Sequence, residues 1–382
     1  MPSKIPLWEP KAAPNEWHYV KKCLDSRWVS SAGAFVDRFE ALAAEKMAVR
    51  HAVAAVNGTA ALHTALLVAG IRPDEEVLMP ALSFIAPANT ICYAGAYPVF
   101  LDVDAEYWQL DPEAVEKFIR TQCSWKRNLL MNTRTRRRVT AILPVDILGH
   151  PTDMRRIAAI AKKYKLKIIE DATESIGALY HGKPLGGYAD ITCLSFNGNK
   201  LITCGGGGML LTNRKEWAMK AKYLTTQAKD EPIKYIHKNI GFNYRLTNLQ
   251  AAMGCAQMEC LSSFVKEKRR DAVLYREGLA RVPGISFMKE ARWAKSTFWL
   301  NTLLVDARRY GMSADHLRRK LISRGIETRF LWQPLNESPA HKAAYSFQVK
   351  NAGKIFRTAL CLPSSVGLTE SDIARVVATV KK

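Results

Sequence analysis

The 382-residue chain predicts an α/β fold, with a largely parallel sheet covered by helices on both faces and a smaller α+β part after it. Three observations carry this. Short apolar runs of strand length alternate with helix-length segments from residue 51 to residue 171. One of those runs, HAVAAV, passes through a turn of small residues straight into a helix. Beyond the helix that starts at Thr247 the pattern becomes charged and amphipathic, and a mixed segment closes the chain. The length and the 48% hydrophobic content suffice for two separate cores. The boundary is predicted between Gly254 and Leu261, giving a large domain over 1–255 and a small one over 256–382.

Taken in order, Asn15 to Glu45 alternates apolar clusters with charges, as in a helix, a loop at Ser30 to Gly33 and a second helix. HAVAAV then runs into Asn57-Gly58-Thr59 and the helical AALHTALLVAG. A strand, a small-residue turn and a helix N-terminus make an anion site, because the first helical N–H groups lack partners and the positive end of the dipole faces outward. The alternation continues with EVLMPALSF, a helix over Ala86 to Ala94, YPVFLDVD, a helix over Pro112 to Arg120, AILPVDILG, a helix over Asp153 to Lys163, and KIIED. Ligands of such sheets collect at the C-terminal ends of strands, where Thr59, Phe84 and Asp171 fall. A helix from Thr247 to about Lys268 follows. EKRRDAVLYREGLARV then reads as a long amphipathic helix. FWLNTLLVDA, a helix near Ala314 to Arg324 and GIETRFLW read as the small α+β domain.

Composition removes several classes of function. The eight cysteines show no CxxC pair or metal-ligand spacing, which argues against a disulfide framework and for a reducing, cytoplasmic setting. No HExxH or similar pair occurs among the eight histidines, so no metal is expected. SKIPLWEPKAAPNEW is broken by prolines and charges and does not read as a secretory segment. Asn57, Gly58, Thr59, His63 and Thr64 interrupt the apolar run over 52–71, which therefore reads as a buried helix rather than a membrane span. The net charge of +21 is spread widely, and its densest run, TRTRRR at Thr133 to Arg138, reads as a solvated loop. Neither nucleic-acid binding nor membrane insertion is expected; such a field also draws phosphate-bearing small molecules.

The stretch from Glu170 to Gly208 is the most informative. It puts a carboxylate after an apolar strand, a lysine downstream and four glycines just beyond the lysine. This is how an enzyme would grip pyridoxal phosphate. That cofactor needs a lysine amine for the Schiff base and an aspartate to hold the pyridine nitrogen protonated. Lys200 and Asp171 are placed for those roles, and a buried carboxylate beside a fixed cation stays ionised. The helix start at Gly58, Thr59 and Ala60 suits the phosphate, with hydroxyls from Thr59 and Ser195.

Several ordered blocks resemble the DegT/DnrJ/EryC1/StrS sugar aminotransferases from Asn15 to the C-terminus. They are VNGTAALHTAL at Val56 to Leu66, PALSFIAPANTICYAGAYPVFLDVD at Pro80 to Asp104, the Asp171 to Gly208 block, and GFNYRLTNLQAAMG at Gly241 to Gly254. The resemblance implies a fold-type I pyridoxal phosphate-dependent transferase. Lys200 takes the position of the family's lysine in SFxxxK; some relatives with histidine there carry out dehydration, so the lysine favours transamination. Phe84 would stack on the ring. Glu174 stands where relatives often carry Gln or His near the ring's phenolic oxygen, and it reads equally as a solvated glutamate. Asn243 would reach the phosphate of a neighbouring subunit, implying a homodimer with shared active sites. Tyr244 and Arg245 are substrate-binding candidates, Arg245 reading equally as a structural residue. Asp146 replaces a more usual histidine, and His63 reads as a packed helix residue.

NEWHYVKKCLDSRWVSSAGAFVDRFE and TTQAKDEPIKYIHKNIGFNYRLTN look most like the branch that aminates 4-keto sugars in the bacillosamine and legionaminic acid pathways. The function this implies is amino transfer from L-glutamate to the C4 ketone of a UDP-linked 4-keto-6-deoxy-N-acetylhexosamine. A GDP-linked or 3-keto sugar and a keto-cyclitol are the alternative acceptors. From another class, the alternative is a basic binding protein for nucleic acid or membrane that retained the fold.

Overall fold

The computed structural model describes residues 4–231 and 233–381. Its centre is an eight-stranded sheet. The strands run in the order His51–Ala55, Gly208–Thr212, Ile191–Ser195, Lys167–Asp171, Val139–Ile142, Glu76–Pro80, Tyr97–Leu101 and Tyr345–Phe347. All adjacent pairs are parallel except the two made by Gly208–Thr212, which runs antiparallel to both neighbours. Helices cover both faces, so the inner strands are buried along all or nearly all of their length and read as apolar runs. Parallel pairing sends each chain end to the same edge, which gathers the residues after Ala55, Asp171 and Ser195 into one place.

Glycine is required where Gly208–Thr212 enters. A Cβ on Gly208 would lie 2.3 Å from the Asn57 carbonyl oxygen, so only glycine lets this strand pass the turn that opens the Gly58–Val68 helix.

The helix Asn248–Leu279 joins the large sheet to the rest of the chain. Thr247 and Gln250 form a capping box at its start, side chain to backbone in both directions. Its first half packs on Ala34–Lys46, close enough that a Cβ on Gly254 would meet the Phe39 ring at 2.6 Å. Its second half carries Tyr275 and Leu279 into a separate apolar cluster with Leu303, Leu317 and Val376. There a four-stranded antiparallel sheet runs Ile285–Phe287, Thr302–Val305, Ala359–Cys361, Arg329–Phe330.

The expected division at 255/256 falls inside this one helix. The parts also exchange segments. Tyr345–Phe347 leaves the second part to form the edge of the large sheet, and Ile5 bridges to Ile326. The segment before TRTRRR is a β-hairpin, Cys123–Lys126 with Leu129–Asn132. No helix among the described residues is long and apolar enough to cross a membrane.

Candidate active site

A cavity of about 310 Å³ opens at the C-terminal ends of the strands, within the size range of small-ligand sites. Its walls bring together Gly58, Thr59, Phe84, Asp171, Glu174, Ser195 and Lys200.

Asp171 ends the central strand and is buried. Its backbone is clamped on both sides: the N–H donates to the Pro144 carbonyl at 2.9 Å and the carbonyl accepts from the Asp146 N–H at 3.0 Å. Its Oδ1 accepts from the Thr173 N–H at 3.0 Å. Burial pushes the Asp171 carboxyl up, and the Thr173 hydrogen bonds and the Lys200 charge oppose this. A protonated ring nitrogen beside it would favour the ionised form further.

Lys200 lies in the loop after Ile191–Ser195. That loop is folded back on itself, Phe196 N–H to the Gly207 carbonyl at 2.9 Å and Cys204 N–H to the Phe196 carbonyl at 3.0 Å. The Lys200 Nζ donates to Glu174 Oε1 at 3.3 Å and sits 4.7 Å from the Trp299 ring centre. Glu174 is buried, and its Oε2 accepts from the Leu148 N–H at 2.8 Å. The solvated reading of Glu174 is corrected: it faces the lysine across the cavity. Burial raises its carboxyl, and Lys200 followed by the Leu148 bond holds it down.

At the expected anion turn one amide is already engaged. Asn57 caps the Gly58–Val68 helix, its Oδ1 accepting from the Ala60 N–H at 2.8 Å. Ala60 is buried outside the cavity wall, and its amide is already used; Gly58, Thr59 and Ser195 remain. A Cβ on Gly58 would lie 2.7 Å from Ser195 Cβ, so the helix start and the strand end are pressed together. Phe84 is 54% exposed and lines the cavity.

Asn243, Tyr244 and Arg245 do not line this cavity. Asn243 is exposed and bridges to Thr226. Tyr244 stacks on Phe242 at 4.9 Å, and its hydroxyl meets His63 Nδ1 at 3.3 Å. Arg245 reaches Gln227 Oε1 at 3.4 Å. His63 is buried among Phe242, Tyr244 and Tyr93, as a packed residue. Asp146 is fully buried and accepts three hydrogen bonds, from the N–H and hydroxyl of Thr152 at 2.8 Å each and from Ser175 at 3.0 Å. It holds the turn before the Met154–Tyr164 helix.

Comparison with known proteins identifies the family. The DegT/DnrJ/EryC1/StrS aminotransferase family matches residues 10–381. The chain belongs to that family. It is 37% identical over 382 residues to a GDP-perosamine synthase of Caulobacter vibrioides, covering 99% of this chain and 97% of that one. A GDP-perosamine synthase of Escherichia coli O157:H7 is 37% identical over 341 residues, 89% and 88% of the two chains. The crystal structure of S. venezuelae DesV in complex with a ketimine intermediate superposes with a TM-score of 0.86 at 30% identity, covering 96% and 93%. This aminotransferase thus has the fold-type I architecture and is pyridoxal phosphate-dependent.

The cavity fits that cofactor. Gly58 and Thr59 would hold the phosphate, Asp171 the ring nitrogen and Phe84 the ring face, with Lys200 as the attachment point. When bound, pyridoxal phosphate supplies an electron-withdrawing ring that stabilises negative charge on an adjacent carbon.

Three wall residues of this aminotransferase escaped the sequence reading: Trp299, Arg329 and Trp332, all from beyond residue 256. Trp299 and Trp332 stack in parallel, 6.3 Å apart. The Trp299 Nε1 donates to the Asn199 carbonyl at 2.8 Å, tying the second part to the lysine loop. Arg329 Cζ lies 5.7 Å from both indole rings, and its buried Nε has no partner among the described residues. The signal was an arginine and a tryptophan inside the apolar GIETRFLW.

Proposed function

We propose that this aminotransferase moves an amino group from L-glutamate to the C4 ketone of a nucleotide-linked 4-keto-6-deoxy sugar. The observation that carries this reading is Lys200: an amine inside the cavity, opposite Glu174 and on the same wall system as Asp171. In the first half, Lys200 Nζ takes the proton from the α-carbon of the donor, and Glu174 stabilises the ammonium that results. Asp171 holds positive charge at the pyridine nitrogen. In the second half Lys200 returns a proton to the sugar's C4. The keto acid leaves before the sugar enters, which makes the kinetics ping-pong. Arg329, which lines the cavity, would pair with a carboxylate of the donor.

Two acceptors have separate support. The segments from Asn15 and Thr225 favour UDP-linked 4-keto-6-deoxy-N-acetylhexosamine, and the two 37% relatives, named GDP-perosamine synthase, favour a GDP-linked sugar. The reading includes a homodimer in which Asn243 completes the partner's phosphate site; its exposure outside its own cavity supports this. In it the cofactor is held by 1–255, while 256–382 supplies Trp299, Arg329 and Trp332.

The visible absorption spectrum before and after L-glutamate tests the donor half. Mass and NMR analysis of products from UDP- and GDP-linked 4-keto sugars tests the acceptor. Cofactor absorption that L-glutamate leaves unchanged overturns the donor; intersecting rather than parallel initial-rate lines overturn the ping-pong order.

A further inference from the structure

The widely spread basic charge has one dense run. Residues 120–138 hold seven of the chain's lysines and arginines and no acidic residue. They form a pinned structure rather than a slack loop. Cys123–Lys126 pairs with Leu129–Asn132, with Arg127 and Asn128 at the turn, both in the left-handed region. At the base Asn132 is buried; its Nδ2 donates to Glu76 Oε2 at 2.9 Å and its Oδ1 accepts from the Arg134 N–H at 3.0 Å. The Thr133 N–H reaches the Gln122 carbonyl at 2.8 Å.

What the hairpin and the loop after it present is unusual in composition. Lys126, Arg127, Arg134 and Arg136 are exposed, and among the described residues only Arg138 of the seven forms an ion pair, with Glu75 at 3.1 Å. Trp125 is 49% exposed and Leu129 39%, both beside the turn. The register places Trp125 opposite Leu130 and Lys126 opposite Leu129, so Trp125 and Leu129 lie on opposite faces of the ribbon. Exposed apolar groups flanked by long cationic side chains suit a layer that is anionic at its surface and apolar below, because Lys and Arg stems let their charges stay at the headgroups. The hairpin precedes Val139–Ile142, whereas the cavity lies after the parallel Lys167–Asp171. It therefore stands at the opposite end of the sheet and leaves the cavity open.

We propose that the 123–138 hairpin docks this aminotransferase on the surface of a bilayer containing anionic phospholipid. Arginine and lysine draw the hairpin to the headgroups, and Trp125 and Leu129 reach the boundary with the acyl chains. A second copy of the chain is disfavoured as the occupant, because it brings the same positive cluster. Nucleic acid matches the charge and could stack on Trp125, but Leu129 offers a base or phosphate nothing. This is peripheral attachment and requires no spanning helix.

The test is co-flotation of the full chain, at physiological salt, with vesicles of phosphatidylcholine alone and of equimolar phosphatidylcholine and phosphatidylglycerol. Flotation is expected only with the second. Reversing Arg134→Glu and Arg136→Glu should weaken it by about fivefold or more for each charge. Lys126→Glu with Arg127→Glu should do the same, and Trp125→Ala should weaken it without altering its salt dependence. All these variants should keep the parent's melting temperature and its activity on soluble substrate. Failure of the parent to float with phosphatidylglycerol overturns the proposal, as does flotation that the variants do not change. Tight binding of single-stranded RNA that the arginine variants abolish, with no vesicle binding, would assign the hairpin to nucleic acid instead.

Discussion

Lys200 Nζ and Glu174 Oε1 meet at 3.3 Å, with only 13% and 6% of the two side chains open to solvent. The pair joins the lysine loop to the segment after the central strand, and Glu174 is anchored from behind by the Leu148 N–H. The carboxylate is thus held where a proton taken up by the lysine leaves a positive charge.

Glu174→Gln keeps an acceptor for Leu148 and removes the charge facing Lys200. It should lower kcat/KM by roughly ten- to a hundredfold with little change in melting. Because burial raises the Glu174 carboxyl, the parent should lose activity in acid as Glu174 takes up its proton. That limb should be missing from the glutamine variant's pH–rate profile. Glu174→Ala should also lose about 1–3 kcal/mol of stability, since the Leu148 N–H is left buried without a partner.

Gly58→Ala sets a methyl group 2.7 Å from Ser195 Cβ. Overpacking of this kind costs about 1–3 kcal/mol, and separating the helix start from the strand end should also weaken cofactor binding. Thermal melting with a pyridoxal phosphate titration checks both. An unchanged cofactor affinity in a destabilised variant would remove Gly58 from the phosphate cradle.

Asp146 shows how burial turns into pH dependence. Complete burial raises its carboxyl from 3.8 to about 7, against the bonds from Thr152 and Ser175. Between those values the folded chain binds more protons than the unfolded one. The contribution to stability is full below 3.8 and is lost as the pH climbs through about 7. Asp146→Asn can keep an acceptor for Thr152 and should flatten this part of the melting-temperature profile.

Lys268 gives the opposite slope. It is buried in the long helix, and its Nζ donates to the Trp299 carbonyl at 2.9 Å and to the Ser364 carbonyl, with the Trp8 ring centre 4.7 Å away. Burial lowers its amine from 10.5 to about 7. In that window the unfolded chain binds the extra proton, so this group's contribution rises with pH. Lys268→Met should abolish the rise and leave two carbonyls without a donor, at a cost on the order of 1–3 kcal/mol. Loosening of Trp299 should appear as a lower kcat.

Much of the fold was legible because local chemistry states it. HAVAAV, the Asn57-Gly58-Thr59 turn and AALHTALLVAG appear as the strand, cap and helix their residues favour. Asp171 and Lys200 could be singled out because one stretch holds an aspartate ending an apolar strand, a lysine in a later loop and four glycines just beyond it. The pattern does not say which amide Asn57 takes, and the structure gives it that of Ala60. TRTRRR reads as a loop by charge, while the bond from Asn132 to Glu76 that pins its base links residues in different strands.

Local periodicity and turn chemistry, which depend on residues a few positions apart, were enough to determine the alternating strands and helices and the capped turn at Asn57-Gly58-Thr59, and to single out Asp171 and Lys200 as candidates. Contacts between distant segments decided the rest. The antiparallel entry of Gly208–Thr212, the edge strand Tyr345–Phe347 and the pairing of Lys200 with Glu174 depend on which surfaces meet once apolar faces are buried. The same holds for the Trp299, Arg329 and Trp332 wall, where the Trp299 to Asn199 bond alone spans 100 residues. No short window of sequence contains both sides of such a contact.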